Sequence, residues 1–203
     1  MRGIENLHPE LQEIAKKFLL ECEKANLPVL ITETLRTKSE QNALYAKGRT
    51  TSGNIVTNCR YPFSPHCWGV AFDFCRNSKG REYNDSDGFF RKVGAIGKKY
   101  GLFWGGDFRS FTDKPHLEMI KFLPNNSTKT LASKYGMPDN FIANWKEEAE
   151  MITKTKIKLN GVVKTVDVIN KDGNNFIKLQ DLRDEKINIG YDNASKLPII
   201  EIK

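Results

Sequence analysis

The hydrophobic period of the chain changes once, near residue 153, and this change constrains the fold more than any other feature. Before it, apolar residues recur at helical spacing in four segments. Leu11, Ile14, Ala15, Phe18, Cys22 and Ala25 form one stripe, the pattern of an amphipathic helix. Pro9 suits its first turn, and Asn26 with Pro28 closes it. A second helix is expected over SEQNALYAKG, with Thr37 or Ser39 as cap and Gly48 as terminator. A third is expected from Asp87 to Tyr100, with Phe90, Val93, Ile96 and Gly97 inward and Gly101 closing it. A fourth, Pro138 to Ile152, carries Phe141, Trp145 and Ala149 on one stripe. Beyond residue 153 the pattern alternates. KIKLNGVVKTVDVI holds Asn160-Gly161 between two alternating runs, a strong hairpin signal. Asp172-Gly173 marks another turn, FIKLQDL reads as a strand entering a helical turn, and INIGYDN and PIIEIK read as strands.

Short extended pieces lie between the helices. PVLITETLR is rich in β-branched residues. In HCWGVAFDFC, Val70, Phe72 and Phe74 share one strand face, and Ala71, Asp73 and Cys75 share the other. LFWGGDF and PHLEMIKF are two further strands. Arg49 to Pro65 reads as loop, and residues 121–135 lose periodicity and read as the domain edge. The expected class is α+β. A small antiparallel sheet with flanking helices fills residues 1–125, a helical linker spans 126–152, and a small, mostly β domain occupies 153–203.

Composition narrows the partners. With 39% hydrophobic and 28% charged residues, the chain reads as globular rather than disordered. No stretch approaches the roughly 18 apolar residues of a membrane span, so no membrane insertion is expected. The N-terminal segment carries charges every few residues and shows no apolar signal-peptide core. The expectation is synthesis in the cytoplasm, where Cys22, Cys59, Cys67 and Cys75, none in a CxxC pair, stay as free thiols. The net charge of +7 favours polyanionic partners. It is spread along the chain with no run of five basic residues, so nucleic acid is not an expected partner. Residues 151–203 hold ten Lys/Arg against seven Asp/Glu, a net of +3.

The chemistry gathers around two of three histidines. His66 lies in SPHCWGVAFDF and His116 in DKPHLE, with WGGDF between them. Asp73 points out of the strand that follows His66, and a second strand carrying His116 can pair alongside. Two imidazoles and one carboxylate leave a fourth position open for water, as in catalytic zinc sites. Zinc lowers the pKa of such water toward ~7 and polarises a carbonyl. Asp113, three residues before His116, is placed to serve as general base. Asp107 is the competing base, read as a cap of the Gly105-Gly106 turn. Cys67 and Cys75 are softer ligand candidates than Asp73. Glu118 shares a strand face with His116 and reads as its supporting carboxylate. His8 reads as exposed at a helix start.

SPHCWGVAFDF resembles the SxHxxGxAxD motif of the LAS-type zinc peptidases, which include VanY-like D-alanyl-D-alanine carboxypeptidases and L-alanyl-D-glutamate endopeptidases. WGGDF followed by DKPHLE is similar to the second motif of that family, and TLRTKSEQNALYAKGR to its upstream arginine segment. The resemblance covers about residues 10–122. It implies one zinc ion held by His66, Asp73 and His116, with Asp113 as base. It implies that Arg36 steadies substrate or oxyanion and that Ser64 contacts substrate. Trp104, apart from that resemblance, reads as core or cleft wall and is expected beside substrate. The implied activity is a zinc-dependent L-alanyl-D-glutamate endopeptidase acting on peptidoglycan by metal-activated water. The Asp at position 113 resembles the phage L-alanyl-D-glutamate branch rather than the carboxypeptidases. The absence of a signal-peptide core and the added C-terminal module favour an endolysin released through a holin. The alternatives are a D-alanyl-D-alanine carboxypeptidase and a non-catalytic zinc-containing wall-binding module. Residues 156–203 resemble the copper-amine-oxidase-N-terminal-like domains of wall hydrolases. That likeness implies wall binding, with anionic wall polymers as partners, or homodimer formation.

Overall fold

A computed structural model describes residues 3–109, 111–150, 152–159, 161–171, 174–183, 185–192 and 197–202. Two compact units divide the chain, residues 1–145 and 146–203.

The first unit opens with helix α1 (Pro9–Lys24). Its buried residues Leu11, Ala15, Phe18 and Cys22 belong to the stripe visible in the sequence, whereas Ala25 is the exposed C-cap. Strand β1 (Val29–Glu33) leads to α2 (Lys38–Ala46). Thr37 caps α2 and forms a reciprocal capping box with Glu40. A long loop ends in a 3-10 turn at Pro65–Trp68. Strand β2 (Ala71–Arg76), helix α3 (Phe89–Lys99), and strands β3 (Leu102–Trp104) and β4 (His116–Met119) follow. The four strands form an antiparallel sheet in the order β1-β2-β4-β3.

The register sorts the sheet's two faces. Phe72 lies opposite Leu117, and Leu117 opposite Trp104. These residues, with Phe74 and Met119, meet Phe18 and the rest of the buried core. Phe18 and Phe72 rings lie 5.5 Å apart. Asp73 lies opposite His116, and Ala71 opposite Glu118, on the other face. Helix α3 approaches the sheet closely because Gly94 and Gly97 lack side chains. A Cβ at Gly94 would fall 2.4 Å from the Trp104 ring, and one at Gly97 2.6 Å from Leu117.

Residues 121–135 depart from the expected domain edge. They contain helix α4 (Lys129–Tyr135), and Leu123, Thr128 and Leu131 are buried. Their apolar positions are too few to show a period, yet tertiary packing holds them. Helix α5 (Pro138–Glu150) follows, and its Phe141 and Trp145 join the same core. His8 is likewise not exposed. It caps α1 by accepting from the Glu10 N–H at 3.3 Å, and its ring packs against Phe122, Phe141 and Trp145. Burial pushes its pKa down to about 4.

The second unit holds a three-stranded sheet, β5 (Ile152–Leu159), β6 (Val162–Lys171) and β7 (Asn174–Ile177), in that order. Leu159 pairs with Val162 across the hairpin. Asn160 and the Asp172-Gly173 turn lie outside the described residues. A 3-10 turn at Leu179–Leu182 precedes β8 (Ile187–Asp192), which pairs with β9 (Leu197–Ile202). Among the described residues, Val166, Val168, Ile187 and Ile189 are buried in this unit. Among the described residues no helix is long and apolar enough to cross a membrane.

Candidate functional site

The 3-10 turn at Pro65–Trp68 carries His66, and Gly69 ends it at φ +65, a left-handed conformation that favours glycine. The chain then enters β2, where alternation brings Asp73 to the face opposite the core. Pairing with β4 sets His116 directly across from it. Residues 43 and 50 positions apart in sequence therefore meet.

Three ligand atoms form a near-equilateral triangle. His66 Nε2 lies 3.2 Å from His116 Nδ1 and 3.2 Å from Asp73 Oδ1, and His116 Nδ1 lies 3.1 Å from the same oxygen. Around a tetrahedral ion with bonds of ~2.0–2.2 Å, donor atoms lie about 3.3–3.6 Å apart. The triangle thus has nearly the size of one face of a zinc coordination sphere. Both imidazoles are turned the right way. His66 Nδ1 donates to the Thr34 carbonyl at 2.9 Å, and His116 Nε2 donates to Glu118 Oε2 at 3.0 Å. Those acceptors take the N–H of each ring, which leaves His66 Nε2 and His116 Nδ1 bare and facing Asp73. The donor set therefore fits a borderline-soft divalent cation.

The electrostatics agree with this arrangement. Burial pushes Asp73 up, but the His66 and His116 imidazoles prevail and hold its carboxyl well below the usual range. Burial pushes His116 down, but the Asp73 and Glu118 carboxylates outweigh it and raise the ring to about 10.

The triad opens onto a cleft of about 1020 Å³. Arg36, Ser64, Asp107, Asp113, Glu118 and Asn126 line it, with Phe103, Phe108 and Phe111. Asp113 is half-buried. Burial raises its pKa, with Asp73 adding to the rise and His116, His66 and Arg36 opposing it. Its backbone N–H donates to the Gly105 carbonyl at 3.0 Å, which fixes the loop before β4. Arg36 is tied to Gln41 at 2.9 Å, and its Nη2 stands 3.9 Å from Asp73. Ser64 is 4% exposed at the cleft wall.

Two candidates are engaged in other contacts. Trp104, expected beside substrate, is buried in the core, and its indole donates to the Lys114 carbonyl at 2.7 Å. It therefore braces the loop of Asp113 from behind, because its strand position faces α3. Asp107 pairs with Lys98 at 2.7 Å. Cys67 lies buried, its thiol raised to about 12 by burial, and is not among the three ligand residues.

Some residues of the site escaped the sequence reading. Gln41 is fully buried, accepts from Arg36 and donates to the Cys59 carbonyl at 2.7 Å. Asn126 donates to Glu118 Oε1 at 2.6 Å and has φ +55. The Pro124-Asn125-Asn126 run was the available signal, since asparagine tolerates the left-handed region.

Comparison with known proteins finds a matching family and curated relatives. A model of the family described as D-alanyl-D-alanine carboxypeptidase matches residues 57–119. The peptidoglycan L-alanyl-D-glutamate endopeptidase CwlK of Bacillus subtilis (strain 168) is 38% identical over 126 residues, covering 57% of this chain and 74% of that protein. The L-alanyl-D-glutamate peptidase of Listeria phage A118 is 33% identical over 123 residues, covering 58% of this chain and 40% of that protein. The chain thus spans under half the length of the phage relative.

Proposed function

The chain belongs to the LAS-type, VanY-like peptidase family, and we propose that it is a zinc-dependent endopeptidase that cuts the L-alanyl-D-glutamate bond of peptidoglycan stems. The observation that carries the reading is the triangle of His66 Nε2, Asp73 Oδ1 and His116 Nδ1 beside Asp113 in one cleft. These three residues would hold one zinc ion, which when bound supplies an acidified water and polarises the amide carbonyl. Asp113 takes a proton from the attacking water and returns it to the leaving amine. Its raised pKa makes it a stronger base than an exposed aspartate. Arg36, braced by Gln41, presents positive charge toward the site. Ser64 contacts the substrate backbone. Glu118, held by Asn126, keeps the His116 ring oriented.

The phage relative supports action at the wall as an endolysin. Residues 153–203 serve in this reading as the anchor. Their net positive charge suits anionic wall polymers, and pairing of strand edges with a second copy would add avidity. Truncation after residue 152 then reduces sedimentation with whole walls and lowers the mass seen by light scattering. Equal wall binding would remove the anchoring role.

Mass spectrometry of digested, purified peptidoglycan tests the activity. L-Ala at a new C-terminus supports it. Release of free D-Ala supports the D-alanyl-D-alanine carboxypeptidase reading that the family description also offers. Loss of cutting after complete zinc removal, and its return with zinc alone, tests the metal.

A further inference from the structure

The cleft carries charges of both signs, and the acidic groups have partners or shelter. Asp107 pairs with Lys98, Asp73 stands between two imidazoles, and Glu118 accepts from His116 and Asn126. Asp113 is half-buried. Of the two lining arginines, Arg36 is committed. It is 10% exposed, donates to Gln41, and faces Glu33 at 3.5 Å and Asp73 at 3.9 Å. Arg109 differs. It lines the cleft, is exposed, and makes no hydrogen bond, ion pair or ring contact with another described residue. A solvated guanidinium on a cleft wall is available for bidentate binding of a carboxylate.

The substrate proposed above supplies such a group. This step rests on the L-alanyl-D-glutamate reading. Where D-Glu continues the stem through its γ-carboxyl, its α-carboxylate is free and joined to the carbon that bears the scissile nitrogen. That anion must enter a cleft already holding Asp73, Asp113 and Glu118, so it needs a cation not yet engaged. We propose that Arg109 is a specificity-determining residue that binds the α-carboxylate of the D-Glu on the leaving side of the cut.

The test uses the full chain and two soluble stem peptides, one with the D-Glu α-carboxyl free and one with it amidated. The wild-type enzyme should favour the acid in kcat/KM by roughly 10–100-fold, the range of one charge-assisted contact. Arg109→Ala should bring the acid-to-amide ratio close to one, mainly through KM, and Arg109→Lys should restore part of it. A merely structural role would lower both substrates together and leave the ratio as it was. An unchanged ratio in Arg109→Ala overturns the assignment, as does a wild-type enzyme that cuts acid and amide equally well. A wild-type enzyme that cuts neither peptide overturns the endopeptidase reading, and this inference with it.

Discussion

Replacing Glu118 by glutamine should weaken zinc binding about 10–100-fold while the fold survives. Glu118 is 1% exposed and has one oxygen on each of two donors, His116 Nε2 at 3.0 Å and Asn126 Nδ2 at 2.6 Å. Glutamine keeps the shape and one acceptor oxygen but removes the negative charge that polarises the imidazole. A hydrogen bond to a charged group contributes roughly 1.5–3 kcal/mol. At about 1.4 kcal/mol per tenfold, that converts to about 10–100-fold in affinity. Alanine at the same position should behave differently. It leaves the His116 N–H unpaired in a buried place, at a cost of roughly 1–3 kcal/mol, whereas the exposed Asn126 can turn its amide to water. The assay is a chelator-competition titration of zinc, run beside thermal melts of the metal-free proteins. Wild-type zinc affinity in Glu118→Gln would refute the orienting role. A melt as low for Glu118→Gln as for Glu118→Ala would show that the charge serves folding instead.

Three further outcomes follow from the same geometry. Asp113→Ala should retain zinc but lose about 10²–10⁴-fold in turnover, and loss of zinc would make Asp113 a ligand or structural group. Gly94→Ala should lower stability by about 1–3 kcal/mol of overpacking, less up to ~1 kcal/mol gained in helix propensity, because the new Cβ meets the rigid Trp104 ring. A raised melting temperature would contradict that packing. His8 has its pKa lowered from 6.5 to about 4 by burial, so the unfolded chain binds the proton first. The stability that neutral His8 contributes is present above pH 6.5 and is lost as pH falls toward 4. After allowance for solvent screening this amounts to roughly 1–3 kcal/mol. Denaturant titrations across that window should show a smaller pH dependence in His8→Gln, and equal slopes would sink the argument.

Local pattern was enough for much of the architecture. The α1 stripe, the alternation that separates Phe72 and Phe74 from Asp73, and the switch to strands after residue 153 are all short-range properties of a helix or strand backbone. The same locality made His66, Asp73 and His116 legible as ligand candidates, since each belongs to a compact motif. Their meeting was not local. It depends on β2 and β4 pairing in the one register that sets Asp73 opposite His116, and register is chosen by burying Phe72 and Leu117 together. The residues that orient the site were still less visible. Thr34 acts through a backbone carbonyl, which any residue carries. Gln41 is a polar residue whose burial commits it to Arg36, whereas Asn126 is exposed and reaches Glu118 only through the left-handed turn that carries it. Trp104 and His8 were misplaced for the complementary reason. An aromatic or imidazole side chain reads alike in sequence whether it faces water or core, and only the packing of α3, or of Phe122, Phe141 and Trp145, decides which.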